Sequence, residues 1–254
     1  MSHLPSQPLK FHPANKNFSQ NYLKDPNLLK KIVHAGNVKE GDHVLEIGPG
    51  PGALTRALLE AKATVTAIEV DPRFIFDLIS WNHSNLTVIE GNILSVPLPH
   101  VNSCVANIPY QITTPLLERL LPLQIPITLT LQKEVALRIT AKMGSTDYSP
   151  LSLFCQYYAT PRLVFTIPRH LFTPAPHVDS AVVHFAPSFR PTHPRLFQTI
   201  RTAFQGRRKM LRRFFPEEVL KLAGIDPTNR PQMISCDAYE KLTTLLQERE
   251  LLNQ

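Results

Sequence analysis

The tetrapeptide Asn107-Ile108-Pro109-Tyr110 combines residue types that suit one chemical task. The exocyclic N6 amine of adenine is a poor nucleophile, because its lone pair is delocalised into the ring. The Asn107 side-chain oxygen and the Ile108 carbonyl would each accept one N6 hydrogen and so direct the lone pair at an incoming methyl group. Pro109 would fix the backbone, and Tyr110 would give the base a ring to stack on. The motif predicts methylation of an adenine amine; the alternative is a strand-ending turn in which Asn107 caps a helix and Tyr110 packs in the core.

A glycine-rich turn, Gly48 to Gly52, follows a strand-like run and precedes a helical pattern. Such a turn brings bare backbone close to a ligand at the carboxyl end of a strand. Glu69 comes 21 positions after Gly48, at the end of the next strand-like run. A carboxylate there can accept hydrogen bonds from both ribose hydroxyls of an adenosyl group. The spacing predicts an adenosine site; the alternative is a turn that only lets helix and strand pack closely.

The turn alone does not choose the cofactor. Gly48, Gly50 and Ala53 also fit the pattern G-x-G-x-x-G/A, which is typical of dinucleotide sites. Glu46 favours S-adenosyl-L-methionine, because a carboxylate at the strand end would repel a pyrophosphate and attract the cationic amino and sulfonium groups of that cofactor.

The elements that must position these residues are a series of strands and helices. Mostly helical patterns, such as ALTRALLEA and TPLLERLL, lie between the strand-like runs. We predict an α/β, Rossmann-like fold with a doubly wound, mostly parallel sheet, to which the last two runs add an antiparallel edge strand. The predicted strands are HVLEI (43–47), TVTAIEV (64–70), LTVIE (86–90), SCVANI (103–108), ITLTL (127–131), LVFTIP (163–168) and AVVHFAP (181–187).

Capping residues and prolines predict two boundaries. A helix is expected from Asp25 to Gly36, because Asp25 can cap its start and Gly36 can end it in a left-handed conformation. The proline-rich segment APSFRPTHP (186–194) changes the character of the chain, and the residues after it show amphipathic, helical patterns. We therefore predict a cofactor-binding catalytic domain at 1–187 and a small all-α C-terminal domain at 188–254.

The composition favours an anionic partner. The chain of 254 residues carries a net charge of +7, which suits nucleic acid or an acidic membrane surface. No apolar run approaches the roughly 20 residues that cross a bilayer, and the N-terminus lacks the apolar core of a signal peptide, so we expect a cytoplasmic protein. The cysteines are scattered and indicate neither a disulfide framework nor a metal site; they are Cys104, Cys155 and Cys236.

Several longer motifs carry a family resemblance. From about residue 18 to the C-terminus the chain resembles the ribosomal RNA adenine dimethylases of the small-subunit type. Besides Glu69, the matching segments are QNYL (20–23), EIGPGPGALT (46–55), NIPY (107–110), LQKEVALRI (131–139), SPLSLFCQYY (149–158), FTPAPHVDSAVV (172–183) and GIDPTNRP (224–231).

The resemblance implies a class I methyltransferase that uses S-adenosyl-L-methionine. Its substrate would be two adjacent adenosines in a hairpin loop near the 3′ end of small-subunit (16S) ribosomal RNA, dimethylated at N6. Its partner would be the 30S subunit during small-subunit biogenesis. We expect a monomer without membrane association.

The family's functional residues carry over onto matching positions. Asn21 and Leu23 would help cover the cofactor. Gly50 in the glycine turn and Glu46 at the strand end, argued above from the residues, also belong to the predicted cofactor site. Gly48 would approach its methionine part, and Glu69 would hold its ribose. Asn107 would serve both the cofactor and the target amine. Phe172 resembles the aromatic residue that sandwiches the flipped adenine opposite Tyr110; the alternative is a core residue that closes the sheet edge.

Two positions depart from the family pattern. The family usually has Asp after Gly91, where its carboxylate accepts a hydrogen bond from the cofactor's adenine amine, and this chain has Asn92. The amide oxygen can still accept, so we expect binding to survive with reduced affinity. Ser19 stands where the family's N-terminal motif usually has Gly, which puts the details of the flap in doubt.

The C-terminal domain carries a basic run with no acid in it, which we expect to form a helix with its charges spread around the surface. Such a run is usually a solvated face, but beside an adenine methylase it favours contact with RNA phosphates. The candidate residues are Arg201, Arg207, Arg208, Lys209, Arg212 and Arg213.

Four other functions stay open. A non-catalytic ribosome assembly factor would keep the fold without methyl transfer, although the intact motif at 107–110 argues against it. A nicotinamide oxidoreductase would be protected from heat by NADH. A DNA adenine methylase more often has an acid and a second proline in the tetrapeptide. A large-subunit ribosomal RNA adenine methyltransferase is the nearest alternative within the RNA dimethylases.

Overall fold

The computed structural model describes residues 8–13 and 20–252. None of the described helices is long and apolar enough to cross a membrane. In chain order the elements are β1 (Tyr22–Leu23), α1 (Pro26–Ala35), β2 (His43–Ile47), α2 (Ala53–Glu60), β3 (Thr64–Glu69), α3 (Pro72–Ile79), β4 (Leu86–Glu90), β5 (Ser103–Asn107), α4 (Thr113–Leu120), β6 (Ile127–Gln132), α5 (Lys133–Ile139), α6 (Pro150–Tyr158), β7 (Ala159–Ile167), β8 (Phe172–Thr173), β9 (Ser180–Pro187), α7 (Pro194–Phe204), α8 (Glu217–Leu222) and α9 (Cys236–Leu252).

Within the described residues, seven strands form one sheet in the order β4-β3-β2-β5-β6-β9-β7. Strands β2 to β6 pair in parallel, and β9 pairs antiparallel with β6. The doubly wound, mostly parallel sheet with an antiparallel edge region is thereby confirmed. The chain winds outward from β2 to β4 and then returns to β5, so the winding direction switches between β2 and β5. Ligands of such sheets bind at this switch, outside the carboxyl ends of the strands.

The first helix shows how the local sequence positions the site. The Asp25 side chain accepts hydrogen bonds from the backbone N–H groups of Asn27 and Leu28 at 2.8 and 3.0 Å, which satisfies two N–H groups of the first turn. The inward face buries Ile32 and Val33 in the core that also holds the β2 and β3 side chains. The predicted helix, capped at Asp25, is confirmed. The predicted left-handed conformation of Gly36 is wrong: Gly36 has a φ of −75°, and the next residue, Asn37, takes the positive φ of 52°.

The described chain forms two compact units. One comprises the residues up to Ala136 together with Pro161–Pro187, and the other comprises Leu137–Thr160 together with the residues from Ser188 onward. The boundary after Pro187 coincides with the predicted one. The segment 137–160 differs from the prediction, because it belongs to the second unit. Its helix α6 contributes aromatic rings to the core of that unit: Phe154 and Tyr158 lie against Phe197 of α7, with ring centroids 4.6 and 5.7 Å apart.

The basic run does not form one helix, which corrects the prediction. Helix α7 ends at Phe204, so of the six basic residues only Arg201 lies on it; 207–209 lie in a turn and bend, and Arg212 and Arg213 lie in a short 3₁₀ segment. Gly206 follows the end of α7 and is a poor helix former, and its lack of a side chain permits the close contact with Phe214, whose ring a Cβ would overlap. The chain folds back there instead of continuing the helix.

Candidate active site

A cavity of about 360 Å³ opens at the carboxyl ends of β2, β3, β4 and β5 in the first unit. Its volume is in the range of small-molecule and cofactor sites. The cavity brings together most of the predicted cofactor and catalytic residues. These lining residues are Asn21, Leu23, Glu46, Gly48, Gly50, Glu69, Asn92, Asn107, Ile108, Pro109 and Tyr110.

The glycine turn forms the floor of the cavity. Gly48, Gly50 and Gly52 have φ values of 62°, 53° and 83°, a region in which a side chain is strained. Helix α2 begins directly after Gly52, which takes the N-cap position without a side-chain cap. In the first turn of α2 the Thr55 N–H is directed at the Glu46 carboxylate and acts to lower the pKa of that acid.

Glu69 is held rigidly at the end of β3. One carboxylate oxygen accepts from the Gly50 N–H at 2.9 Å, and the other accepts from the N–H groups of Val70 and Asp71 at 2.8 and 2.9 Å. Burial raises the pKa of Glu69, and these N–H donors act in the opposite direction. The oxygen that accepts from Gly50 keeps a second lone pair, so this oxygen can bind the glycine turn and accept from a ligand hydroxyl at once.

Glu46 is the most deeply buried acid of the cavity. It is 1% exposed, and one of its carboxylate oxygens has no hydrogen-bond partner among the described residues. Burial raises the pKa of Glu46 to about 8. A buried polar atom without a partner is rare and costly, so it points to a ligand group that supplies one. A cationic group is the natural candidate, because it would favour the ionised carboxylate.

Asn107 ends β5 at the opposite side of the switch point. Its Nδ2 donates to the Asn21 carbonyl at 3.3 Å, a contact that joins the catalytic motif to the segment before β1. With Nδ2 used in this way, Oδ1 is the amide atom available to accept a hydrogen from a substrate amine. Pro109 lies at φ −61° and ψ 129° in extended backbone, and Ile108 is 3% exposed.

The Tyr110 ring has a fixed position because its hydroxyl is tied down. The Tyr110 Oη lies 2.6 Å from the Ser180 Oγ, and Ser180, at the start of β9, is fully buried. Burial raises the pKa of the Tyr110 phenol. Sequence reasoning did not find Ser180. Its position eight residues after Phe172 in the motif FTPAPHVDS gives no sign of a contact with a residue 70 positions earlier.

The segment before α1 covers one wall of the cavity, and Tyr22 is its central residue. Tyr22 is 8% exposed, lies against Gly50 and donates from its hydroxyl to Gln20 at 2.6 Å. Gln20 in turn donates to Asp71 at 2.9 Å. Arg73, hydrogen-bonded to Asp71, lowers the pKa of that acid to about 2. Sequence reasoning named Asn21 and Leu23 but missed Tyr22, whose burial depends on this long-range network.

Phe172 lies elsewhere than predicted. It is 3% exposed, pairs with Leu23 in the short β1–β8 ladder, and belongs to the apolar core beside Leu29 and Val182. It is absent from the cavity wall in the described structure. A Phe side chain on a strand between apolar neighbours gains most by burial, which explains the position. In this conformation the ring is a core residue, and its stacking role remains a prediction.

Of the two positions that depart from the family pattern, the structure describes one. Asn92 lies on the cavity wall just after β4, and its Oδ1 accepts from the Leu94 N–H at 2.9 Å. This contact occupies one lone pair of the amide oxygen and leaves one for a ligand. Ser19 lies outside the described residues.

The predicted RNA-binding residues all belong to the second unit. Arg208, Lys209, Arg212 and Arg213 are exposed, and so is Arg201. The Arg207 guanidinium behaves differently: it donates to the Thr146 carbonyl, and to the Tyr148 carbonyl at 3.2 Å.

The donor set of the cavity fits an adenosyl cofactor with a cationic amino acid part. Glu69 offers one carboxylate oxygen to a ribose hydroxyl, the glycine turn suits a close backbone approach, and the buried oxygen of Glu46 suits a cation. Among the described residues, no group of His, Cys, Asp and Glu side chains is arranged to hold a metal ion. Asn107 and Tyr110 mark the end of the cavity at which a planar base with an exocyclic amine can be held.

Comparison with known proteins gives one consistent result. A family model described as ribosomal RNA adenine dimethylase matches residues 11–248. The chain is 38% identical over 253 residues to the ribosomal RNA small subunit methyltransferase A of Protochlamydia amoebophila, with 89% of each chain covered. It is similar to the solved structure of a dimethyladenosine transferase from Plasmodium falciparum, with a TM-score of 0.81 at 29% identity over 90% of this chain and 98% of that one. The 23S rRNA methyltransferase ErmE gives a TM-score of 0.70 at 27% identity over 89% of this chain and 100% of that one.

Proposed function

Because the chain belongs to the ribosomal RNA adenine dimethylase family, it is an RNA-modifying enzyme, and we propose that it transfers methyl groups from S-adenosyl-L-methionine to N6 of two adjacent adenosines in a hairpin loop near the 3′ end of small-subunit ribosomal RNA. The observation that carries the proposal is the common cavity of Asn107, Tyr110 and Glu69. This arrangement joins an acceptor for the target amine to a carboxylate suited to a ribose. A cytoplasmic monomer acting on the 30S subunit during its biogenesis completes the proposal.

The residues of the cavity divide the work between binding and activation. The cofactor supplies an electrophilic methyl group when it is bound. Glu69 holds the ribose through an oxygen that the Gly50 N–H keeps in place. Glu46 neutralises positive charge at the methionine end.

Activation of the target amine requires acceptors more than a strong base. Asn107 Oδ1 and the Ile108 carbonyl each accept one N6 hydrogen, which draws the amine toward tetrahedral geometry. Tyr110 stacks on the extruded base, and its hydroxyl contact with Ser180 keeps the ring from turning. Each methylation replaces one N–H bond by one N–C bond and therefore releases one proton. That proton goes to solvent.

The choice of the small subunit rests on the relatives. The curated relative with 38% identity is named as a small-subunit enzyme. The 23S rRNA methyltransferase is similar too, at 27% identity and a lower TM-score than the dimethyladenosine transferase. The small subunit is therefore the first substrate to test, and the large subunit is the matched alternative.

The proposal is tested by methylation of unmodified small and large subunits with labelled S-adenosyl-L-methionine, followed by nucleoside analysis. The expected product is N6,N6-dimethyladenosine in the small-subunit RNA alone. Label in the large-subunit RNA would instead indicate a large-subunit ribosomal RNA adenine methyltransferase. No label in either, with RNA binding intact, would favour the non-catalytic assembly factor, and protection from heat by NADH but not by S-adenosyl-L-methionine would favour an oxidoreductase.

A further inference from the structure

The loop after β4 has little support from the sheet itself. β4 is the outermost strand on its side of the described sheet, so the loop from Gly91 to Val96 has a strand on one flank only. Gly91 has φ 153°, and a Cβ there would overlap the Val96 side chain. The loop is closed by the N–H groups of Ser95 and Val96, which donate to the Asn92 carbonyl at 2.9 and 3.0 Å.

One side chain from a distant helix holds this loop. Arg119, in the last turn of α4, donates from Nη1 to the Ile93 carbonyl at 2.6 Å and from Nη2 to the Val96 carbonyl. The guanidinium is a rigid planar fork, so two carbonyls bound in this way fix both the position and the orientation of the loop. A lysine at 119 would have a single ammonium group and could not reproduce the fork.

The order of the strands tells which part of a cofactor this loop meets. Along the sheet edge the cavity residues run from Asn92 after β4, through Glu69 at β3 and Gly48 at β2, to Asn107 at β5. With the ribose at Glu69 and the reacting methyl toward Asn107, the adenine must extend the other way, over β4. Gly91, Asn92 and Ile93 line the cavity there.

We propose that Arg119 is a positioning residue that sets the adenine-reading loop 91–96 and thereby tunes cofactor affinity and base discrimination. The proposal rests on the proposed function only in taking an adenosyl cofactor as the ligand. Arg119 does not line the cavity, so it acts through the Ile93 and Val96 carbonyls and not by touching the ligand. Loss of the Arg119 side chain frees the loop that carries Asn92, so Asn92 no longer has a fixed geometry. The catalytic motif at β5 keeps its own contacts.

The test measures binding of S-adenosylhomocysteine and of its deaminated analogue S-inosylhomocysteine by calorimetry. Arg119→Ala is expected to weaken S-adenosylhomocysteine binding by roughly 10-fold, because the two charge-assisted hydrogen bonds to the loop are removed. The ratio of the two dissociation constants should fall toward one. Arg119→Lys should lie between wild type and Arg119→Ala, and Lys31→Ala, which removes one positive charge from an exposed position on α1, should bind as wild type.

Two further measurements separate positioning from general damage. Hydrogen exchange without any ligand should speed up at the Ser95 and Val96 amides in both Arg119 variants, with the β2 and β3 amides unchanged. At saturating cofactor, kcat on small subunits should stay within about two-fold of wild type, since the acceptors at β5 are intact. Unchanged binding and an unchanged ratio in both Arg119 variants would overturn the proposal. Failure of the wild-type protein to bind S-adenosylhomocysteine would instead overturn the proposed function.

Discussion

The chemistry at the residue scale depends on one amide. Asn107 gives its Nδ2 to the Asn21 carbonyl, so its oxygen is left for the target amine. We predict that Asn107→Ala lowers kcat on the order of 10²-fold or more, because it removes an acceptor that strengthens in the transition state. Binding to small subunits should stay near wild type, which a filter-binding titration checks. A variant that still dimethylates at a near wild-type rate would exclude the acceptor mechanism.

Glu69 has a double role, which affects the design of its mutant. Its carboxylate accepts from the Gly50 N–H and from the two N–H groups that follow β3. An alanine there would disturb the glycine turn as well as the ribose contact. We predict that Glu69→Gln, which keeps the size of the side chain, weakens S-adenosyl-L-methionine binding by roughly 10-fold or more, because the charge is lost and one acceptor oxygen becomes an NH2 group that can accept from neither the backbone nor the ribose. Calorimetry measures the affinity, and equal affinity would mean that the ribose is held elsewhere.

The raised pKa of Glu46 makes a prediction about pH. With a pKa of about 8, the carboxyl is mostly protonated at neutral pH, so binding a cation must displace a proton. Affinity for S-adenosyl-L-methionine should therefore rise with pH up to about 8, by at most roughly 10-fold per pH unit, and level off above it. Calorimetry in buffers of different ionisation enthalpy counts the released protons. Glu46→Gln should flatten the profile, and a flat wild-type profile would mean that Glu46 stays neutral in the complex.

The two aromatic residues predicted to hold the target base, Phe172 and Tyr110, lie in different parts of the fold. Phe172 is buried in the β1–β8 ladder, whereas Tyr110 lies on the cavity wall. We predict that Phe172→Ala costs about 3–5 kcal/mol of folding stability, as is usual for a core aromatic. Tyr110→Ala should cost less stability, about 1–3 kcal/mol for the lost contact with the buried Ser180 hydroxyl, and should lower kcat/KM by the equivalent of about 1–3 kcal/mol of stacking free energy. Thermal denaturation and steady-state kinetics on both variants check this, and the opposite pattern would return Phe172 to the base-binding site.

The elements themselves were predictable where a local pattern determines them. The strands that end at Ile47, Glu69 and Asn107 are mostly apolar or β-branched runs, so their existence follows from the sequence. A glycine follows the first strand, and the acid and the asparagine end the other two, which marks their functional ends. The burial of Phe172 and the anchoring of Tyr110 by Ser180 did not follow. Phe172 lies on β8, which pairs with β1, and Ser180 begins β9, which pairs with β6. A linear motif carries no information about such long-range pairings.

In the second unit, the positions of the basic side chains could not be predicted from the sequence either. The six basic residues were predicted to lie on one helix with their charges spread around its surface, but α7 ends at Phe204 and carries only Arg201. Arg207 then turns inward to backbone carbonyls of the loop at 145–148. Net charge was therefore a sound guide to the class of partner, and a poor guide to which cations face it.

At the scale of the whole molecule the remaining question is how the positive charge meets RNA. Arg208 and Lys209 are exposed, whereas Arg207 holds a loop of its own unit. We predict that the double variant Arg208→Ala, Lys209→Ala binds small subunits more weakly and has a flatter salt dependence, by a log–log slope of roughly 0.7–0.9 for each phosphate that the variant no longer neutralises. Its thermal stability and its affinity for S-adenosyl-L-methionine should equal those of wild type.

Two comparisons make that measurement decisive. The variant Lys221→Ala, Lys241→Ala removes the same charge from exposed positions on α8 and α9 and should keep the wild-type slope. Arg207→Ala should instead lower the thermal stability of the protein, because the carbonyls of Thr146 and Tyr148 lose their donor. Contacts to phosphates position RNA without reading its sequence. The affinity of the Arg208→Ala, Lys209→Ala variant should therefore fall equally for small subunits and for unrelated RNA of the same length. A slope for Arg208→Ala, Lys209→Ala that equals wild type across the salt series would mean that these charges are solvated and that another surface binds the RNA.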